Sequence, residues 1–77
     1  MIDEIAIKSQ FIKLDAFLKF AGAAETGGHA KNLIQESLVK VGGEICKIRG
    51  KKLYPGDIIE TGGNIYKIVK ADLGDGI

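Results

Sequence analysis

Thr26-Gly27-Gly28-His29-Ala30-Lys31-Asn32-Leu33-Ile34-Gln35-Glu36-Ser37-Leu38-Val39-Lys40-Val41-Gly42-Gly43 is the stretch in which the periodicity of the chain changes. Thr26 is a good N-cap, because its hydroxyl can accept from a free backbone N–H of the first turn. Ala30, Leu33 and Ile34 then form an apolar stripe at helical spacing, which predicts a helix from Thr26 to Glu36. From Leu38 the pattern becomes apolar and β-branched. Gly42-Gly43 is a two-residue hairpin signal.

The chain upstream of this point reads as helix and the chain downstream as strand. Phe11, Leu14, Leu18 and Ala21, with Phe17 beside them, recur at steps of three and four. They predict a helix from Phe11 to Ala21, with Asp15 in its first turn if it starts near Lys13 and Gly22 as its stop. Glu4 to Ile7 is a short first strand. Downstream, Glu44 to Arg49 resumes the β pattern with Ile45 and Ile48 as apolar anchors. Pro55-Gly56 suits the centre of a type II turn. Asp57 to Thr61 and Ile65 to Val69 are further strands joined by Gly62-Gly63, and Asp72 to Ile77 reads as a tail. Two Gly-Gly turns between short strands imply an antiparallel sheet. The expected fold class is α+β, with two N-terminal amphipathic helices packed on one side of a small antiparallel sheet.

A chain of 77 residues is expected to form one domain, residues 1–77 with a core over about 11–70. A chain this short buries about 60–65% of the surface its unfolded form exposes. That leaves little room for a deep catalytic cleft. The single cysteine, Cys46, permits no internal disulfide, and one His with one Cys cannot build a zinc site. The chain shows no secretory n- and h-region and no apolar run of the roughly 20 residues that span a bilayer. A reducing, cytoplasmic setting without a membrane partner is expected.

Net charge is +1, from 11 Lys+Arg and 10 Asp+Glu, but the charge is segregated. Lys40, Lys47, Arg49, Lys51 and Lys52 against Glu44 give a local +4, so the remainder carries 1 − 4 = −3. Lys47, Arg49 and Lys51 are alternate residues. On a strand they share one face, about 6.6 Å apart from the 3.3 Å rise per residue, close to the roughly 6–7 Å between phosphates along one nucleic-acid strand. Such a stripe can serve as a solvated edge that blocks aggregation. It can also bind an anionic polymer, RNA above all.

A second group is Thr26-Gly27-Gly28-His29-Ala30-Lys31. Read structurally, it is a capped helix start with a glycine bend. Read functionally, it is an anion site of bare backbone N–H donors with His29 and Lys31 on the first turn. Gly22 and Gly27 have P-loop spacing, but Gly28-His29 stands where Lys-Ser/Thr is needed, so nucleotide hydrolysis is rejected. Lys13 joins the basic groups just ahead of the first helix. One His and one Cys support no nucleophile–base pair, and Asp15, Glu25 and Glu36 stand at no acid/base spacing. Catalytic residues are expected to be none. Phe11, Phe17 and Phe20 are claimed by a helix that needs a core. Few aromatic rings are then spare as base platforms, which favours folded RNA backbone over splayed bases.

The string Ile12-Lys13-Leu14-Asp15-x-x-Leu18, Gly22, Thr26-Gly27-Gly28-x-Ala30-Lys31-x-x-Ile34, Val39-x-Val41-Gly42-Gly43 and Pro55-Gly56-Asp57-x-Ile59 resembles the S-four domain. This is the alpha-L RNA-binding fold named after small-subunit ribosomal protein four. Thr26-Gly27-Gly28 and Arg49-Gly50-Lys51-Lys52 are most similar to its stand-alone bacterial, single-domain type. The resemblance covers about Ile12 to Glu60. It implies that the two helices face RNA and the sheet backs them. It also implies that Lys13 matches the basic residue before Leu-Asp, Thr26 the cap, Lys31 the contact turn, and Lys47, Arg49, Lys51 and Lys52 the basic β region. Gly27 departs from the family where many members carry Arg, and Gly42-Gly43 replaces its Asn-Gly turn.

The expectation is a non-catalytic binder of structured RNA, ribosomal RNA or a ribosome-assembly intermediate. It would act as a monomer without cofactor or metal, through Lys13, Thr26, Gly27, Gly28, His29, Lys31, Lys47, Arg49, Lys51 and Lys52. The alternative is a protein-interaction adapter whose basic patch meets an acidic partner.

Overall fold

The computed structural model describes residues 2–71, so the tail expected over Asp72 to Ile77 lies outside the described residues. The elements run β1 (Ile2–Ile7), β2 (Ile12–Lys13), α1 (Leu14–Phe20), α2 (Gly27–Gln35), β3 (Val39–Val41), β4 (Glu44–Ile45), β5 (Lys52–Leu53), β6 (Ile58–Thr61) and β7 (Asn64–Lys70). The class is α+β, as expected. Strands come first, however, and the helices lie between β2 and β3.

The main sheet has the order β1-β7-β6-β3-β4, and β2 with β5 makes a separate two-stranded ribbon. The main sheet is mixed rather than antiparallel. β1 runs parallel to β7, from Ile2 beside Ile65 to Ile7 beside Lys70. A parallel partner needs a long crossover, and the rest of the described chain supplies it. The expected hairpins form. Gly42-Gly43 joins β3 to β4, and Gly62-Gly63 joins β6 to β7. Gly42 and Gly43 hold φ of +63° and +86°, the left-handed pair that a type I′ turn requires. The turn at Tyr54-Pro55-Gly56-Asp57 is also as expected. Asp57 N–H donates to the Tyr54 carbonyl at 2.9 Å, and Gly56 sits at φ +102°, a value that favours glycine.

One hydrophobic cluster joins the layers. Leu14, Phe17 and Leu18 of α1 and Ala30 and Ile34 of α2 pack with Ile7, Val39, Ile59, Tyr66 and Ile68 of the sheet and Leu53 of the ribbon. Phe17 is fully buried, and its ring meets Tyr66 edge-on at 5.9 Å and 84°, a geometry that the ring quadrupoles favour. Along β6 and β7 the apolar residues alternate inward, as a half-covered sheet demands. On the uncovered face the cross-strand partners carry opposite charges, with Glu4 beside Lys67 and Lys40 opposite Glu60.

Two expectations fail here. α1 starts at Leu14 rather than Phe11, because Ile12 and Lys13 pair with Leu53 and Lys52 and are therefore extended. Ile45 and Ile48 do not anchor a strand to the core. They are 55% and 65% exposed, and β4 ends at Ile45.

α2 ends in a Schellman arrangement. Leu38 N–H reaches the Leu33 carbonyl at 3.1 Å, and Ser37 N–H reaches Ile34 at 3.3 Å. Ser37 occupies the left-handed position at φ +62°, where other helices carry glycine. Ser37→Gly should therefore stabilise the protein by about 0.5–1 kcal/mol. The check is a rise in the urea midpoint at unchanged m-value. A fall in the midpoint would refute this reading of the helix end.

Candidate nucleic-acid interface

The first N–H groups of a helix need acceptors from outside it. At α1 the N-cap residue is Lys13, at φ −75° and ψ 150°, and its side chain makes no cap. The acceptors come instead from the basic segment. Leu14 N–H donates to the Lys51 carbonyl at 2.9 Å, and Asp15 N–H donates to the Arg49 carbonyl at 3.1 Å. Lys51 N–H closes the intervening turn onto Ile48 at 3.2 Å. The carbonyls of Arg49 and Lys51 thus point into the fold, while both side chains are exposed.

This arrangement corrects the stripe. Residues 46–51 are not a strand. They form an irregular segment with a turn at Arg49-Gly50, and the pairing resumes only at Lys52. Regular strand spacing therefore does not order Lys47, Arg49 and Lys51. The segment gathers charge in a different way. It places Arg49 and Lys51 at the head of α1, beside Lys13, and sets Lys13 directly opposite Lys52 across the β2–β5 ribbon. Like charges directly opposite are destabilising, and the main sheet avoids them. Lys47 is exposed in the irregular segment, ahead of this cluster.

The second predicted group forms at the start of α2. Thr26 Oγ1 accepts from His29 N–H at 3.0 Å, so Thr26 is the cap, as expected. The His29 ring turns back, and its Nδ1 accepts from Glu25 N–H at 3.1 Å. That nitrogen is an acceptor within the protein, and Nε2 is the one left for a ligand. Gly27 and Gly28 have ordinary helical backbone. A Cβ at Gly27 would meet nothing within 4 Å, and one at Gly28 only Thr26 Oγ1, at 3.9 Å. Neither conformation nor packing requires glycine there. Lys31 is exposed on the same helix. The starts of α1 and α2 border a recess of about 190 Å3 lined by Asp15, Ala16, Lys19 and Gly27. Lys19 therefore belongs to this surface, although it was not among the expected residues. Its position one turn after Asp15, on the exposed side of α1, was the available signal.

The aromatic expectation is also corrected. Only Phe17 of the three phenylalanines is buried. Phe20 is 60% exposed, and Phe11 lies outside the helix with its ring 6.1 Å from that of Tyr54. Lys52 Nζ stands 4.8 Å above the Phe11 ring, within cation–π range.

Among the described residues no helix is long and apolar enough to cross a membrane. The geometry defines a small α+β domain with two helix N-termini and a cationic cluster on one connected surface. Sequence comparison gives this class a name. The family model of the S4 domain matches residues 5–69, and the chain belongs to that family. Among its relatives is the "Probable ribosome maturation protein RlbA" of Bacillus subtilis (strain 168). The two are 41% identical over 63 residues, covering 82% of this chain and 89% of the relative.

Two outcomes test the geometry. Lys13→Glu replaces a like-charged cross-strand pair with an opposite one, and should raise stability by about 0.2–1 kcal/mol at low salt. Gly27→Ala and Gly28→Ala should each stabilise α2, by up to about 1 kcal/mol. Thermal melts check both. Destabilisation by the alanines would mean that some contact requires the bare backbone.

Proposed function

We propose that this chain is a non-catalytic RNA-binding protein that recognises structured RNA through backbone charge and shape. Its target is ribosomal RNA or a ribosome-assembly intermediate. The observation that carries this reading is the like-charged pairing of Lys13 with Lys52, with Arg49 and Lys51 held beside it by their own carbonyls. In a chain whose net charge is only +1, four cations at one helix start make a local concentration of positive charge. A polyanion relieves the repulsion among them. Membership of the S4 family and the likeness to a ribosome maturation protein support an RNA partner within ribosome assembly.

In this mechanism Lys13, Arg49, Lys51 and Lys52 neutralise phosphates and release their condensed counterions. Lys31 and Lys47 extend the same field. The N–H groups of Gly27 and Gly28 and Nε2 of His29 approach a phosphate or ribose at the start of α2. Thr26 orders that turn through its cap. These contacts read backbone position and helical shape, and no step requires a cofactor, a metal or a bond-making residue.

Engagement of about four to six phosphates gives a slope of log K against log salt of about −3 to −5. The measurement is a salt titration of binding to ribosomal RNA fragments. An affinity that ignores salt, or none for any folded RNA, sinks the proposal. Arg49→Ala with Lys51→Ala should shallow the slope by about 2 with little change in melting temperature, because the helix start uses only their carbonyls. Association with ribosomal fractions that survives nuclease treatment would point instead to an adapter with an acidic protein partner.

A further inference from the structure

Tyr54 is placed with more constraint than an exposed tyrosine needs. Its N–H donates to Asp57 Oδ2 at 2.7 Å, and its carbonyl accepts from Asp57 N–H at 2.9 Å. The Pro55-Gly56 turn behind it is tied to β7, where Gly56 N–H meets the Ile68 carbonyl at 2.7 Å and Ile68 N–H meets Asp57 at 3.0 Å. Tyr54 is 48% exposed, and its ring lies 6.1 Å from that of Phe11, tilted at 50°. A rigid backbone carrying an open ring against a second ring is a stacking platform that loses little entropy on binding. Lys52, above Phe11, links it to the cationic cluster.

A second observation comes from the chain neighbours of these two rings. Lys8, Ser9, Gln10, Pro55 and Lys70 line a recess of about 300 Å3. Gln10 adjoins Phe11, and Pro55 adjoins Tyr54. Ser9 Oγ donates to the Phe11 carbonyl at 2.7 Å, which ties the lining to the residue that carries the second ring. Two lysines and an amide around a concavity whose lining adjoins the exposed Tyr54 and the half-buried Phe11 in the chain suit a nucleotide, with the base on Tyr54 and the phosphate among the ammonium groups. A paired base offers no free face to Tyr54, because its neighbours in the helix occupy both faces.

We infer that this surface captures one unpaired nucleotide of the bound RNA. Its base stacks on Tyr54 against Phe11, and its phosphate lies between Lys8 and Lys70. The inference rests on the RNA-binding reading above and adds a single-stranded element to it. Phosphates at the head of α1 then fix the duplex, and the nucleotide at Tyr54 fixes the register of a bulge or junction on it.

The test uses the full chain and two labelled RNA hairpins with the same number of base pairs, each closed by a non-nucleotide linker in place of a loop, one fully paired and one with a single bulged uridine. The wild-type chain binds the bulged hairpin more tightly. Tyr54→Ala loses about 5- to 150-fold on the bulged RNA, the range base–aromatic stacking spans, and is unchanged on the paired one. Tyr54→Phe keeps the ring and restores the preference. Lys8→Ala with Lys70→Ala narrows the preference while leaving the paired affinity nearly constant. Equal affinity of the wild type for the two hairpins overturns the inference, as does a Tyr54→Ala loss that is equal on both. In either case RNA binding itself stands. Binding to neither hairpin overturns the RNA-binding reading and this one together.

Discussion

The two hydrogen bonds from the head of α1 to the carbonyls of Lys51 and Arg49 are the constraint from which the rest of the arrangement follows. α1 has seven residues, too few to persist alone in water. Its N-cap residue is a lysine, which has no acceptor to offer. The helix therefore exists only when a distant part of the chain returns to it. Closing that loop has an entropic cost that grows slowly with length, and the burial of Leu14, Phe17, Leu18 and Leu53 in one cluster offsets it. The same closure sets Lys13 against Lys52, so formation of the core and assembly of the cationic surface are one event.

This division of labour within single residues separates fold from charge. Arg49 and Lys51 spend their backbone acceptors on the helix and leave their side chains in solvent. Thr26 and His29 do the reverse at α2, where side-chain atoms satisfy backbone donors. The two helix starts thus reach satisfaction by opposite routes. The first leaves cations free, and the second leaves bare backbone free at Gly27 and Gly28. A phosphate can use either kind of donor, and the Asp15–Lys19–Gly27 recess makes the two starts neighbours.

What the sequence revealed follows the range of the interactions. α2, its Thr26 cap, the Gly42-Gly43 and Gly62-Gly63 hairpins and the Pro55-Gly56 turn all follow from contacts within a few residues, and they are where local pattern puts them. The parallel pairing of β1 with β7 leaves no local trace, because Ile2 to Ile7 alternates too weakly to name a partner at the other end of the chain. The residues from Phe11 to Lys13 continue the helical periodicity of α1 and are extended only because Leu53 and Lys52 lie alongside. That one tertiary pairing also released Phe11 from the core and brought it to Tyr54. The basic residues are exposed, but a strand does not order them. The alternation of Lys47, Arg49 and Lys51 suggested a strand, and what decides their placement is the helix start that needs the carbonyls between them.

Three of the local rules that the chain breaks lie at or near the helix starts and the Pro55-Gly56 turn, apart from Ser37 at the end of α2 and the exposed Ile45 and Ile48. Like charges face each other at Lys13 and Lys52, glycines occupy the first turn of α2 without a conformational reason, and an aromatic ring is fixed in solvent at Tyr54. The main sheet, by contrast, pairs Glu4 with Lys67 and Lys40 with Glu60, and fills its inner face with apolar side chains. A sequence under selection for stability alone would correct the first set as readily as it satisfied the second. Asp15 and Gly27 share a recess, and strand pairing and ring contacts link Lys13 to Lys52 and Lys52 through Phe11 to Tyr54. In the proposed function each of them meets one kind of ligand, a phosphate chain that carries bases. Under the proposed function, stability lost at several separate positions is recovered through a single partner.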